Sequence, residues 1–70
     1  MIRFKELRLE HNLYQKDLAE LLNCTQAQYS RIESGINQAS YEQLIKLAKY
    51  YNTSIDYILG LTKVKEPYER

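Results

Sequence analysis

The stretch QKDLAELLNCTQAQYSRIESG, residues 15–35, decides how this chain folds. It contains two short segments whose apolar residues recur at three- and four-residue spacing, which is the spacing of one face of an α-helix. These residues are Leu18, Leu21 and Leu22 in the first segment, and Tyr29 and Ile32 in the second. The stretch therefore predicts two amphipathic helices in immediate succession.

The junction between the two segments is only three residues long, 23–25. Asn23 tolerates the left-handed backbone that ends a helix, and Thr25 followed by Gln28 fits the reciprocal capping box that begins one. Two helices joined so closely must cross steeply, which leaves the outer face of the second helix free to project from the protein. That face carries Gln26, Gln28 and Arg31.

The rest of the chain carries similar start and stop signals. Residues 2–11 have the pattern of a first amphipathic helix, Ser40 with Gln43 opens a fourth helix, and Ser54 caps a short fifth helix. No alternating pattern typical of strands interrupts this order. The sequence predicts an all-α, compact five-helix domain over residues 1–62, with a frayed, charged C-terminal tail at 63–70.

Composition narrows the classes of protein to consider. Seventy residues suffice for one small domain, and ten Lys and Arg against nine Asp and Glu give a net charge of +1, without the strong basic excess usual in nucleic-acid binders. No apolar run could cross a bilayer, and the charged start lacks the apolar segment of a signal peptide, so we expect a cytoplasmic protein with no membrane partner. The lone Cys24 and the lone His11 indicate a core thiol and an ordinary helix-end residue, with no metal site.

Three segments in the same order resemble the helix-turn-helix domain of the phage lambda repressor and Cro type, also called the XRE family. They are RFKELR at 3–8, LYQKDLAELLNCTQAQYSRIESG at 13–35 and SYEQLIKLAKYYNTSIDYILGLT at 40–62. The resemblance implies a repressor-like fold in which helices 2 and 3 form the motif. It also implies that helix 3 lies in the DNA major groove while helix 2 crosses the backbone.

The resemblance assigns base reading to four residues of helix 3: Gln26, Ala27, Gln28 and Arg31. Gln26 holds the position that most often reads bases, and Gln can bond adenine N6 and N7 together. Ala27 could touch a thymine methyl group, and Arg31 could reach guanine or a phosphate. Gln28 has a competing role, because its side chain is also needed to close the capping box.

The resemblance also assigns residues to DNA phosphates and to an internal ion pair. The phosphate-positioning residues are Gln15, Thr25, Asn37, Gln38 and Tyr41. Arg8 and Glu33 match an ion pair that ties helix 1 to the end of helix 3. The loop 36–40 lacks the Lys or Arg that relatives direct at phosphates, so neutral hydrogen bonds would have to position the DNA, and the salt dependence should be shallow.

These features predict a sequence-specific DNA-binding transcriptional regulator, a small repressor that binds double-stranded DNA as a homodimer on a pseudo-palindromic operator. Dimer contacts are expected from Tyr57, Ile58 and Leu61, although these side chains could instead complete the core. The alternative is an antitoxin or adaptor, which would use the same fold to bind a partner protein. An enzyme is disfavoured because no cluster has catalytic spacing, and no cofactor or small-molecule ligand is expected.

Overall fold

The computed structural model describes residues 2–67, and this part of the chain contains five helices and no strand. The all-α, five-helix fold predicted from the sequence is confirmed. Met1, which the predicted domain included, and residues 68–70 of the predicted tail lie outside the described residues. The helices are α1 (Phe4–Glu10), α2 (Gln15–Leu21), α3 (Gln26–Ser34), α4 (Tyr41–Tyr51) and α5 (Ile55–Ile58).

Capping boxes begin α3 and α4, as the sequence predicts. The Gln28 N–H donates to Thr25 Oγ1 at 3.1 Å, and the Thr25 N–H donates back to Gln28 Oε1 at 2.9 Å. At α4 the same two bonds join Ser40 and Gln43, at 3.1 Å and 2.8 Å. Each box satisfies backbone donors that the first helical turn leaves without partners, so both helix starts are fixed.

Left-handed asparagines follow three of the helices, α1, α2 and α4. Asn12, Asn23 and Asn52 have φ angles of 55°, 57° and 54°. Among residues with a Cβ, Asn and Asp adopt this conformation most readily, because their short polar side chains can hydrogen-bond locally. The tight junction between α2 and α3 therefore depends on Asn23.

Each helix places one almost fully buried side chain in a single shared core. These side chains are at most 1% exposed: Leu7, Leu18, Tyr29, Leu47 and Ile58. The expectation of a dimer contact at Ile58 is wrong, because its side chain is 0% exposed within one copy of the chain. In an α5 of one turn, this inward residue is needed to close the core.

The segment after α5 packs more closely than a frayed tail. The Thr53 hydroxyl, in a residue that is only 4% exposed, donates to the Lys65 carbonyl. The Lys65 ammonium lies 3.4 Å from the Glu10 carboxylate. A buried hydroxyl needs a hydrogen-bond partner, and the returning chain supplies it. Lys65 thus lies back against the ends of α1 and α4.

Candidate nucleic-acid interface

The inner face of α3 is locked onto the rest of the domain. Tyr29 is 0% exposed and Ile32 is 5% exposed, and both belong to the shared core. Ala19 of α2, 4% exposed, belongs to the same core and supplies the small side chain that a steeply crossing pair of helices requires. The orientation of α3 is therefore set from within the protein.

A bidentate ion pair adds a polar attachment to this inner face. Arg8 Nε and Nη2 lie 2.7 Å and 3.1 Å from the two Glu33 carboxylate oxygens, and Arg8 Nη1 donates to the Leu13 carbonyl at 3.0 Å. The Arg8 and Glu33 side chains are 11% and 5% exposed. The Arg8–Glu33 ion pair that the family resemblance implies is present, and through it α1 holds the C-terminal end of α3.

Gln15 joins the same network. Its Nε2 donates to Glu33 Oε1 at 3.2 Å. No sequence pattern predicted this contact, because 18 residues separate the two positions. A carboxamide nitrogen carries two hydrogens, so the second remains available to a phosphate. Gln15 is half-buried, and its expected phosphate contact would therefore come from a side chain that is already held in place.

The ionisation of this network follows from its burial. Burial alone would raise the pKa of Glu33, but hydrogen bonds from Arg8 and Gln15 favour the carboxylate and bring the pKa below its ordinary value. The hydrogen bond to Glu33 raises the pKa of Arg8. Burial raises the pKa of the Tyr29 hydroxyl, which stays protonated. Glu33 is thus a carboxylate and Arg8 a cation at neutral pH.

The outer face of α3 has the opposite character. Gln26, Ala27, Gln28 and Arg31 are all exposed. Within residues 2–67, no hydrogen bond or ion pair holds the side chain of Gln26 or Arg31. The only acidic residue of α3 is Glu33, whose charge is buried beside Arg8, so Arg31 is the only charged side chain on the projecting surface of the helix. This surface suits a polyanion.

Gln28 is divided between its two predicted roles. Its Oε1 accepts the Thr25 N–H, which occupies one of the two acceptor sites of that oxygen, while both hydrogens of Nε2 remain available to another molecule. Bidentate recognition of adenine needs both the donor and the acceptor of the amide. Gln28 can therefore donate to a base or a phosphate, but the cap bond holds its amide in one orientation, which disfavours bidentate reading of adenine.

The remaining predicted residues lie at two separate surfaces. Thr25, Asn37, Gln38 and Tyr41 are exposed around the starts of α3 and α4. Of the expected dimer contacts other than Ile58, Leu61 is 72% exposed, whereas Tyr57 is half-buried with the Arg3 guanidinium 4.2 Å from the centre of its ring. The sequence did not indicate this Arg3 contact, which depends on residues 54 positions apart.

Residues 2–67 hold no group of three His, Cys, Asp or Glu side chains placed to bind a metal ion. In that same part of the chain, every helix is too short or too polar to cross a membrane.

Comparison with known proteins gives matches over most of the chain. The family model described as "Helix-turn-helix" matches residues 4–58. The chain is 35% identical over 65 residues to "Uncharacterized HTH-type transcriptional regulator YobD" of Bacillus subtilis (strain 168), a match that covers 93% of this chain and 58% of that protein. It is 36% identical over 67 residues to "HTH-type transcriptional regulator ImmR" of the same organism, covering 96% of this chain and 53% of the relative.

A solved structure shows the same arrangement of helices. The crystal structure of a transcriptional regulator from Listeria innocua aligns with a TM-score of 0.77 at 35% identity, over 94% of this chain and 60% of that one. The chain thus spans about half the length of the curated relatives that it matches. Its helix order, its α2–α3 junction and these matches together establish that the chain belongs to the XRE-type helix-turn-helix family of transcriptional regulators.

Proposed function

We propose that this chain binds duplex DNA in a sequence-specific manner and regulates transcription as a small dimeric repressor in the cytoplasm. The observation that carries the proposal is the contrast across α3. Its inner face is fixed by the core and by the Arg8–Glu33 pair, while the side chains of Gln26 and Arg31 project without partners in the described chain. A rigid helix with exposed polar side chains fits the major groove.

Each exposed side chain has a distinct role in this proposal. Gln26 has both its amide oxygen and its amide nitrogen available, so it would bond adenine N6 and N7. Ala27 would contact a thymine methyl group, and Arg31 would reach guanine or a phosphate one helical turn further on. Gln15 would position the DNA through the second hydrogen of an amide that Glu33 already orients.

The proposal of a homodimer rests on how little DNA one domain can read. A helix-turn-helix domain reads one half-site, and two such half-sites lie about 34 Å apart on one face of the duplex. Leu61 is a large apolar side chain left exposed beside α5, with Tyr57 half-buried near it in the chain. We propose that these two residues contact a second copy, and that the dimer represses by occupying a pseudo-palindromic operator.

Selection of bound sequences from a random DNA pool tests the proposal. We expect enrichment of a two-fold symmetric motif, which would support both the DNA-binding function and the dimer. The Gln26→Ala, Arg31→Ala double variant serves as the control and should enrich no motif. Failure of the unaltered chain to enrich any sequence, under conditions in which it is folded, would contradict the proposal.

A protein-interaction role on the same fold is the second candidate. The net charge of +1 and exposed apolar side chains such as Ile2, Ile36 and Leu61 favour it. In that role, as an antitoxin or adaptor, the chain would bind its partner with an affinity that does not depend on Gln26 or Arg31. The selection experiment separates the two candidates, because only the DNA-binding function predicts an enriched motif.

A further inference from the structure

A small polar cavity lies beside α3, on the side that faces the segment leading into α4. Its volume is about 190 Å³. Four of its six lining side chains are carboxamides and none carries a charge. The lining consists of Cys24, Gln28, Ile32, Asn37, Gln38 and Gln43.

The two capping boxes determine what this cavity can offer to a ligand. Gln28 Oε1 accepts the Thr25 N–H at 2.9 Å, and Gln43 Oε1 accepts the Ser40 N–H at 2.8 Å. Each amide therefore uses its oxygen at its own helix cap and keeps Nε2 for another partner. No atom of residues 2–67 accepts a hydrogen bond from either nitrogen. Two separate helices thus contribute one oriented N–H donor group each to the same cavity.

The chemistry of such a cavity selects its ligand. A base edge presents donors as well as acceptors, whereas a phosphate oxygen only accepts. Asn37 and Gln38 can turn their amides to donate as well, and no acidic side chain lines the cavity to repel an anion. Neutral Asn and Gln side chains are common partners of DNA phosphates. The donors and the absence of negative charge therefore fit one oxyanion.

We propose that this cavity binds one backbone phosphate of the duplex, next to the major groove that α3 reads, and that Gln43 is a positioning residue for it. The inference rests on the proposed function, because it assumes that α3 lies on DNA. The cavity would also provide a phosphate contact that the loop 36–40 cannot make with a cation, since that loop has no Lys or Arg. Phosphate positioning then comes from neutral, pre-oriented donors.

The substitution Gln43→Glu tests the phosphate contact of Gln43 while keeping its role in the capping box. A Glu side chain accepts the Ser40 N–H as Gln does, so the capping box and the thermal stability should be kept. The substitution replaces the Nε2 donor with a second carboxylate oxygen, which repels a phosphate. We expect the affinity for the DNA sequence enriched by selection to fall about tenfold or more, from the loss of a hydrogen bond to a charged group.

Lys49→Gln is the matched control for charge. It changes the net charge by the same amount but lies about 9 Å further along α4, where residues 43 and 49 are separated by six helical steps. Since the screening length at physiological salt is about 8 Å, the control should change DNA affinity by about threefold or less. Equal losses in the two variants would show a general charge effect and overturn the assignment of Gln43.

Substituting single phosphates with neutral methylphosphonates identifies the contact itself. On the unaltered chain, one such substitution in each half-site should weaken binding about tenfold, and this effect should be clearly smaller in Gln43→Ala, which has lost one of the donors, while other positions keep theirs. The same sensitivity in both proteins would overturn the inference and leave the proposed function intact. Failure of the unaltered chain to bind any duplex would overturn both.

Discussion

The two faces of α3 differ in almost every physical respect. On the inner face, Tyr29 and Ile32 are buried and Glu33 accepts hydrogen bonds from Arg8 and Gln15. On the outer face, Gln26 is exposed and its side chain has no partner within residues 2–67. The same nine residues thus form both a fixed attachment and an open surface.

This difference explains how so small a domain can present side chains to another molecule. Ordering a side chain on binding costs about 0.5–1.5 kcal/mol, and ordering the backbone beneath it would cost more. The inner face orders the backbone of α3 in advance, so binding must order only the projecting side chains. Stability and recognition are therefore assigned to opposite faces of one helix, and substitutions should separate them.

The largest effect on stability should come from breaking the buried ion pair. Arg8→Met leaves the Glu33 carboxylate, 5% exposed, without its cation and should cost about 3–5 kcal/mol in the free energy of unfolding. The double variant Arg8→Met, Glu33→Leu should recover most of that loss, because neither charge is then stranded. Urea unfolding measures both. A single variant that costs less than about 1 kcal/mol would show that the pair behaves as a surface salt bridge.

Low pH should weaken the Arg8–Glu33 ion pair and with it the stability of the fold. The pKa of Glu33 is lowered in the folded chain relative to the ordinary value of 4.5, so its carboxylate stabilises the fold above that value. This contribution is lost as pH falls through the folded pKa, because a protonated Glu33 no longer pairs with Arg8. The free energy of unfolding should therefore fall more steeply with acid in the unaltered chain than in Glu33→Gln. Parallel pH profiles for the two proteins would contradict this account.

A smaller loss in the free energy of unfolding is expected from a substitution at the start of α3, where the two faces meet. Thr25→Ala removes the hydroxyl that accepts the Gln28 N–H and should cost about 1 kcal/mol. Thr25→Ser keeps that hydroxyl and serves as the control, with stability close to that of the unaltered chain. Thermal unfolding followed by circular dichroism distinguishes them. If Thr25→Ser lost as much stability as Thr25→Ala, the Thr25 methyl group rather than its hydroxyl would be responsible.

The smallest effect on stability is expected on the outer face. Gln26→Ala and Arg31→Ala remove exposed side chains that no other part of the described chain holds, so each should change the free energy of unfolding by no more than about 0.5 kcal/mol. Urea unfolding under the same conditions provides the measurement. A loss of 2 kcal/mol or more, about the size of a core truncation, would mean that the outer face also supports the fold.

The sequence predicted the local features of the fold well. The capping boxes at Thr25 and Ser40, and the left-handed Asn23, depend on residues within a few positions of each other, and such short-range chemistry can be read directly from residue types. The five helices and the exposed face of α3 followed from these signals and from apolar spacing.

The sequence was less informative where distant residues meet. Three contacts join residues that are 12 to 54 positions apart in the chain: Gln15 with Glu33, Arg3 with Tyr57, and Lys65 with Thr53. A periodic sequence pattern cannot predict contacts over such distances. The error at Ile58 has the same origin. An apolar residue in a one-turn helix can face the core or a partner, and only the packed structure decides between them.

The affinity of the Gln26→Ala, Arg31→Ala double variant for the selected DNA sequence tests the central claim most directly. Each side chain is expected to contribute about 1–3 kcal/mol of discrimination among bases, so specific binding should fall by about a hundredfold or more while the variant stays as stable as the unaltered chain. That result would show that the outer face of α3 reads DNA. Unchanged binding by a fully folded double variant would contradict the claim.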